Sequence, residues 1–242
     1  MPVRWPFAPA LGGLDESEVG CGRVVSRCGL LIFMAAATRD VWADVHVERS
    51  ALVEDLARLR PAQWEAASLC NGWSVRDVVA HLAATAALSK RGFAREFIRA
   101  GFSSDRIVQR QVAAGRRHDP AELLAALRAS VTSTASPPLP TITRITEIVV
   151  HGEDIRRPLG LRRAYSADHI RAAIAYLAGD RLSGGRKRLA GLRLIGTDAG
   201  FTVGDGLAVE GPAVSVLLAA CGRRVALPEL SGPGIAELAR RT

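Results

Sequence analysis

From Thr38 onward the apolar positions fall into a helical register. The stretch "RDVWADVHVERSALVEDLARL" sets Val41, Val45, Leu52, Leu56 and Leu59 three, four or seven residues apart. That spacing predicts an amphipathic helix ending before Pro61. "AQWEAASLCNGW" loses the period and reads as a connection. "WSVRDVVAHLAATAAL" regains it behind a start signal. Ser74 stands at the N-cap, Asp77 at N3 forms a short-armed capping box, and Trp73 and Val78 are placed as a hydrophobic staple. This helix is expected to run past Lys90 towards Ile98. Residues 102–118 are polar and show no clear period. "DPAELLAALRASV" predicts a short helix with Pro120 at its N-terminus, broken by "ASPPLP".

The next segment, "TRITEIVVHGEDIRRPLG", is apolar nearly all round yet carries charge. On a helix, Glu147, His151 and Asp154 lie at i, i+4 and i+7 and share one stripe. Val150 flanks that stripe on one side, Ile148 and Ile155 on the other, while Ile142, Ile145 and Val149 cover the back. The pattern is that of a buried helix with a polar seam. Buried charges are costly unless paired or bound to a metal, so something should sit against the seam.

Beyond "RRPLG" the texture changes. "SADHIRAAIAYLAGDRL" is a further helix with Ser166 as cap, and "GGRKRLAG" reads as a solvated turn. "LRLIG", "FTVGD" and "LAVEG" alternate over short runs bounded by Gly and Asp, the pattern of small strands. "GPAVSVLLAACGR" predicts a helix with Pro212 at its start and Gly222 just past its end, and "GPGIAELARR" a final short one. The outline is α+β: a helical bundle to about residue 160, then a small α/β domain.

The charge balance changes this picture little. A net charge of +8 and a pI near 10.3 raise the question of nucleic acid. The arginines are scattered, however, and six Phe and two Tyr are not interleaved with them as in a single-strand-binding surface. No nucleic-acid partner is expected; solvated faces and arginines aimed at an acidic substrate account for the excess. "CGLLIFMAAA" is too short to span a bilayer, so no membrane partner is expected either. It has the look of a signal-peptide core, but Asp15, Glu16 and Glu18 precede it. The simpler reading takes residues 1–33 as a leader, disordered or preceding a true start at Met34, with a bundle over 34–163 and a small domain over 164–242. Cys21, Cys28, Cys70 and Cys221 form no C-x-x-C pair, which argues against a disulfide framework and for a cytoplasmic protein; a monomer or weak dimer is expected.

Glu147 and His151 form E-x-x-x-H, whose side chains can close on one ion from a single helical face. The third donor expected from another helix is His81 in "VVAHLAA", beside the apolar stripe of Val75, Val78, Val79 and Leu82. Two imidazoles and a carboxylate leave a coordination position open, as in a catalytic zinc site. Asp154 is then a candidate acceptor orienting an imidazole N–H. Spacing alone leaves a rival open: a Glu147–Arg pair, with His151 bonded to a carbonyl. His46, His118 and His169 read as surface residues, and Cys70, in its turn beside Trp73, as packing.

"WEAASLCNGWSVRDVVAHLAA" together with "RITEIVVHGEDIRRPLG" resembles the actinobacterial mycothiol-dependent maleylpyruvate isomerase family, and the likeness extends to "LRLIGTDAGFTVGDG" and "GPAVSVLLAACGR". The turn before the histidine helix reads "CNGW" where relatives commonly have Cys-Pro-Gly-Trp. The resemblance implies a DinB-like four-helix metal-binding bundle followed by a small sterol-carrier-like α/β domain. It implies His81, Glu147 and His151 as ligands of a divalent metal, zinc by preference, with mycothiol as thiol cosubstrate. It also implies an arginine from the C-terminal domain near the active site, matched best by Arg223. Cationic groups for substrate carboxylates, or for the thiol's acidic parts, are then expected among Arg223, Arg156 and Arg157. Helix C-terminal dipole pairing is the alternative role for Arg156 and Arg157, and pairing with an arginine the alternative for Asp154. In the isomerase that names the family, a thiolate adds to the cis double bond, the resulting single bond rotates, and elimination releases the trans product. The function implied is metal-activated thiol chemistry, isomerisation or thiol transfer, on a small acidic or electrophilic molecule. A metal-dependent hydrolase or detoxification enzyme without mycothiol, and a non-catalytic ligand-binding protein, stand as alternatives.

Overall fold

The computed structural model describes residues 27–242, with side chains from Val41 onward. The N-terminal part runs α1 (Arg27–Leu56), the single turn α2 (Pro61–Trp64), α3 (Val75–Ala86), α4 (Lys90–Arg99), α5 (Ser104–Gly115), α6 (Pro120–Ala129) and α7 (Ile142–Arg156). α1 packs on α6 and α7, and α3 on α5, α6 and α7. The result is a bundle of α1, α3, α6 and α7 of the DinB-like type, with α5 laid against α3.

α7 runs through the middle of the protein. Every residue from Thr143 to Arg156 is buried, as an apolar helix with a polar seam requires. The α3 start is as its residues dictate: Ser74 Oγ accepts from the Asp77 N–H, and the Asp77 carboxylate accepts from the Ser74 N–H. Trp73 and Val78 are both buried beside it. In the preceding "CNGW" turn the Trp73 N–H bonds to Cys70 O, and Gly72 takes a φ of +76°. A type II turn needs that left-handed value at its third residue, and only glycine adopts it without strain.

The expected continuation of α3 past Lys90 is corrected. α3 stops at Ala86, and Ser89 caps a new helix by accepting the Gly92 N–H. The polar stretch 102–118 is also helical over α5, capped by Ser103 accepting from Arg106. Gly115 explains how so polar a helix docks: a Cβ there would lie 2.2 Å from Ala80 Cβ, so α5 approaches α3 at a distance only glycine permits. α4 and α5 share a small cluster of Phe97, Ala100 and Ile107, with Phe93 against it, apart from the main core.

The C-terminal part holds α8 (Ala167–Gly179), α9 (Gly185–Leu189), β1 (Leu192–Gly196), β2 (Phe201–Val203), β3 (Leu207–Gly211), α10 (Ala213–Ala220), a 3-10 segment (Arg224–Glu229) and α11 (Ile235–Arg241). The sheet order is β2-β1-β3, antiparallel for β1/β2 and parallel for β1/β3. The solvated turn expected at "GGRKRLAG" is instead α9, whose Gly185 and Leu189 are buried. α10 covers β1 and β3, and α8 bridges α7 to α10 and β2. One apolar core therefore runs from Leu52 in α1 through Ile174 to Val209 in β3. The proposed leader, residues 1–33, falls largely outside the described residues. No described helix is long and apolar enough to cross a membrane.

Candidate metal centre

The seam of α7 meets α3 at His81. His81 Nε2 lies 3.7 Å from Glu147 Oε1, and the His81 and His151 rings stand edge to face with centroids 5.2 Å apart. Each ring is oriented from its far side. His81 Nδ1 is 3.2 Å from Gln111 Oε1 on α5, an amide oxygen that can only accept. The proton therefore belongs on Nδ1, and Nε2 carries the lone pair. His151 Nδ1 lies 2.8 Å from Asp154 Oδ2, which sets the same tautomer. Burial, and His151 beside it, hold the His81 pKa well below that of a free imidazole, so it is neutral at pH 7.

Glu147 is buried with its two oxygens divided between two neighbours. Oε2 accepts from Arg144 Nη1 at 3.1 Å, while Oε1 faces His81. The Glu–Arg pair weighed in the sequence is thus present, but it occupies one oxygen only. His151, for its part, sets Nδ1 against the Asp154 carboxylate.

Asp154 is the hub of a second layer. It is wholly buried and accepts from His151, from Cys70 Sγ at 3.0 Å, and from Arg223 Nε and Nη2 at 3.0 and 2.7 Å. Burial alone would raise its pKa. The Arg223 charge and the hydrogen bonds outweigh burial and hold the carboxyl below the usual carboxylate range. Arg223 reaches this point because α10 ends in a Schellman turn: Gly222, at φ +89°, donates to Ala219 O, and Arg223 N–H donates to Leu218 O. Cys70, expected to pack, does so with its thiol on Asp154. Burial and the Asp154 charge push that thiol's pKa up, so it is not a thiolate at neutral pH.

Two donor sets can therefore be compared. Cys70, His151 and Asp154 place donor atoms within 4.8 Å of one another. Using them for a cation means deprotonating Cys70 and drawing an Asp154 oxygen away from Arg223. His81, Glu147 and His151 offer two imidazoles and a carboxylate, with Gln111, Asp154 and Arg144 hydrogen-bonded behind them.

Arg156 and Arg157, expected at the cofactor, point elsewhere. Arg156 is almost wholly buried, bonded to Asp55 and to Tyr165. Arg157 pairs with Glu153 and Glu229 and bonds Ser215. Both tie α7 to its neighbours, and Arg223, the expected substrate contact, is spent on Asp154. Of the other histidines, His118 is exposed and pairs with Glu122, while His169 is half-buried against Asp44 and His46 half-buried against Trp42. Two site residues were not anticipated. Arg144, three residues before Glu147, was legible from the helical stripe. Gln111 was not, since α5 shows no period.

Two hollows adjoin the bundle. The larger, about 570 Å³, lies over Val53, Ala57, Arg128 and Val131, away from the imidazoles. A smaller cleft of about 60 Å³ opens on His81, Arg144 and Glu147 themselves.

Residues 45–139 match the family model described as the mycothiol maleylpyruvate isomerase N-terminal domain. Two solved structures share the fold: the mycothiol-dependent maleylpyruvate isomerase, at a TM-score of 0.58, and a histidine-to-alanine mutant of it, at 0.56. Each is 15% identical and covers 81% of this chain and 92% of its own. No curated protein matches the sequence.

Proposed function

We infer, for a chain whose residues 45–139 match the model of the mycothiol maleylpyruvate isomerase N-terminal domain, a metal-dependent enzyme of thiol chemistry. It isomerises a small electrophile or transfers a low-molecular-weight thiol to it, with mycothiol the cosubstrate the family name suggests. The observation that carries this reading is the paired imidazoles. His81 and His151 are buried with ring centroids 5.2 Å apart, each with Nδ1 on an acceptor, and His81 Nε2 is 3.7 Å from Glu147 Oε1.

His81 Nε2, His151 Nε2 and Glu147 Oε1 would hold the ion, zinc by preference for two nitrogens and one oxygen. A divalent ion so held supplies Lewis acidity, which draws the pKa of a small-molecule thiol, about 8.5 when free, down to neutrality. The protein's own residues do the rest. Gln111 and Asp154 fix the imidazole tautomers, and Arg144 keeps Glu147 aimed. Arg223 keeps Asp154 an acceptor. The apolar rim of the cleft, with Leu88, Phe93 and Val108, limits the water that reaches the reacting atoms.

The test is metal per chain by elemental mass spectrometry on protein purified without chelator or metal-affinity tag, beside His81→Ala and His151→Ala. About one zinc in the wild type and none in either variant is expected, followed by thiol consumption that requires the metal. A wild type that binds no zinc even after reloading would overturn the reading. Zinc-dependent turnover with no requirement for thiol would move it to a hydrolase.

A further inference from the structure

α5 lays one face along the cleft beside the imidazoles. Ser104, Ile107, Val108 and Gln111 fall at i, i+3, i+4 and i+7 of that helix, and all four line the cleft. At about 1.5 Å of rise per residue, Ser104 and Gln111 stand about 10 Å apart along the axis. Gln111 meets His81, at the end where the proposed function sets the ion. Ser104 therefore marks the other end, with the apolar side chains of Ile107 and Val108 between.

The Ser104 hydroxyl has no visible task in the fold. Ser103, not Ser104, caps α5, its Oγ accepting the Arg106 N–H. Ser104 is 8% exposed, and its Oγ is buried with no hydrogen-bond partner among the described residues. A polar group enclosed in this way costs stability unless something completes it. Its surroundings indicate what is missing. The first-turn amides of α5 are donors without acceptors inside the helix, and the hydroxyl can supply one donor more. Asp105, the acid of that first turn, lies outside the cleft lining. An acceptor oxygen is what this corner lacks.

We propose that Ser104 is the far anchor of the substrate site. Its hydroxyl donates to a carbonyl or carboxylate oxygen of an extended small molecule whose reacting end lies at the ion and whose hydrocarbon middle lies on Ile107 and Val108. The proposal rests on the reading of this cleft as the substrate site, and deepens it by requiring an oxygen function remote from the reacting carbon. The anchor is an uncharged group two helical turns away, so its pairing does not depend on the charge of the ion. The probes are 3-mercaptopropanamide, too short to reach Ser104, and 5-mercaptopentanamide, long enough. Both are titrated by calorimetry into the full chain, zinc-loaded and zinc-free, with zinc content measured on the same samples. Ser104→Ala should weaken the long amide about three- to tenfold, the worth of a neutral hydrogen bond, and leave the short one unmoved. Ser104→Thr, which keeps a hydroxyl, should lose less. The acid 5-mercaptopentanoate, run beside the amide, names the oxygen: tighter for a carboxylate, weaker for a carbonyl, with the same dependence on Ser104 in either case. Without ligand, Ser104→Ala should melt no lower than wild type, because it removes a hydroxyl that the fold does not use. A lower Tm would return the hydroxyl to the fold and overturn the proposal. Equal effects of Ser104→Ala on the two lengths, or a long amide that binds in neither zinc state, would overturn it as well. A chain that takes up no zinc, yet binds the long amide through Ser104, would leave the proposal standing and sink the metal reading instead.

Discussion

Asp154→Asn is the most informative single change. The carboxylate is fully buried and the Arg223 side chain is 10% exposed, with the two groups joined at 2.7 and 3.0 Å. Neutralising one partner leaves a buried guanidinium uncompensated, which typically costs about 3–5 kcal/mol. In a chain of 242 residues each kcal/mol moves Tm by about 2–4 °C, so a fall of about 6–20 °C is expected by circular dichroism. The asparagine also no longer presents the anion that fixes the His151 tautomer, and zinc affinity should fall about 10–100-fold in a chelator competition. The two effects separate in the double variant Asp154→Asn/Arg223→Met. Removing the stranded charge should return much of the lost stability while leaving zinc affinity low. Acid provides a second check. A carboxyl whose folded pKa is depressed contributes stability that is full above the unfolded value of about 3.9, and loses it as pH falls through the folded value. The gap between wild type and Asp154→Asn should therefore close only in strong acid. A single variant melting within about 1 kcal/mol of wild type, or a double variant no more stable than the single, would refute the reasoning.

Gly115→Ala should lower Tm and weaken zinc binding together, because a methyl 2.2 Å from Ala80 Cβ forces α5, and with it Gln111, away from His81; unchanged zinc affinity would detach Gln111 from the site. Asp77→Ala removes the α3 capping box and the two 2.8 Å bonds to Arg116, and should cost about 1–2 kcal/mol in urea denaturation. Burial and neighbouring charge raise the Cys70 pKa, and burial raises that of Cys221 to about 12, so peptide mapping after iodoacetamide at pH 8 should find both unmodified in native protein and alkylated once it is unfolded.

How far the sequence carried depended on what each residue type signals by itself. Ser74 and Asp77 announce a helix start through local hydrogen bonds, and they form it. The seam of α7 was legible because charge on an otherwise apolar helix needs a partner. The break at Ser89 was not, since "AATAAL" is as good a helix former as what precedes it and only the Ser89 cap, a weak local choice, ends it. α5 hid for another reason: it docks through the missing side chain of Gly115, and an absence of bulk leaves no hydrophobic period. Within the site, ligand spacing on α7 was readable along one helix. The distant partners, Arg223 for Asp154, Asp55 for Arg156 and Glu229 for Arg157, were not readable from spacing, because each lies across a tertiary contact: Arg223 is 69 residues from Asp154, and Asp55 is 101 from Arg156.

The claim at the centre is that the ion is held by His81, Glu147 and His151 and not by Cys70, His151 and Asp154. Zinc-edge X-ray absorption on the zinc-loaded full chain, in buffer free of added thiol, decides between them. The account predicts nitrogen and oxygen neighbours at about 2.0–2.2 Å, two of them with imidazole scattering, and no sulfur. A sulfur neighbour at about 2.3 Å that disappears in Cys70→Ser would place the ion on the Asp154 side and contradict it.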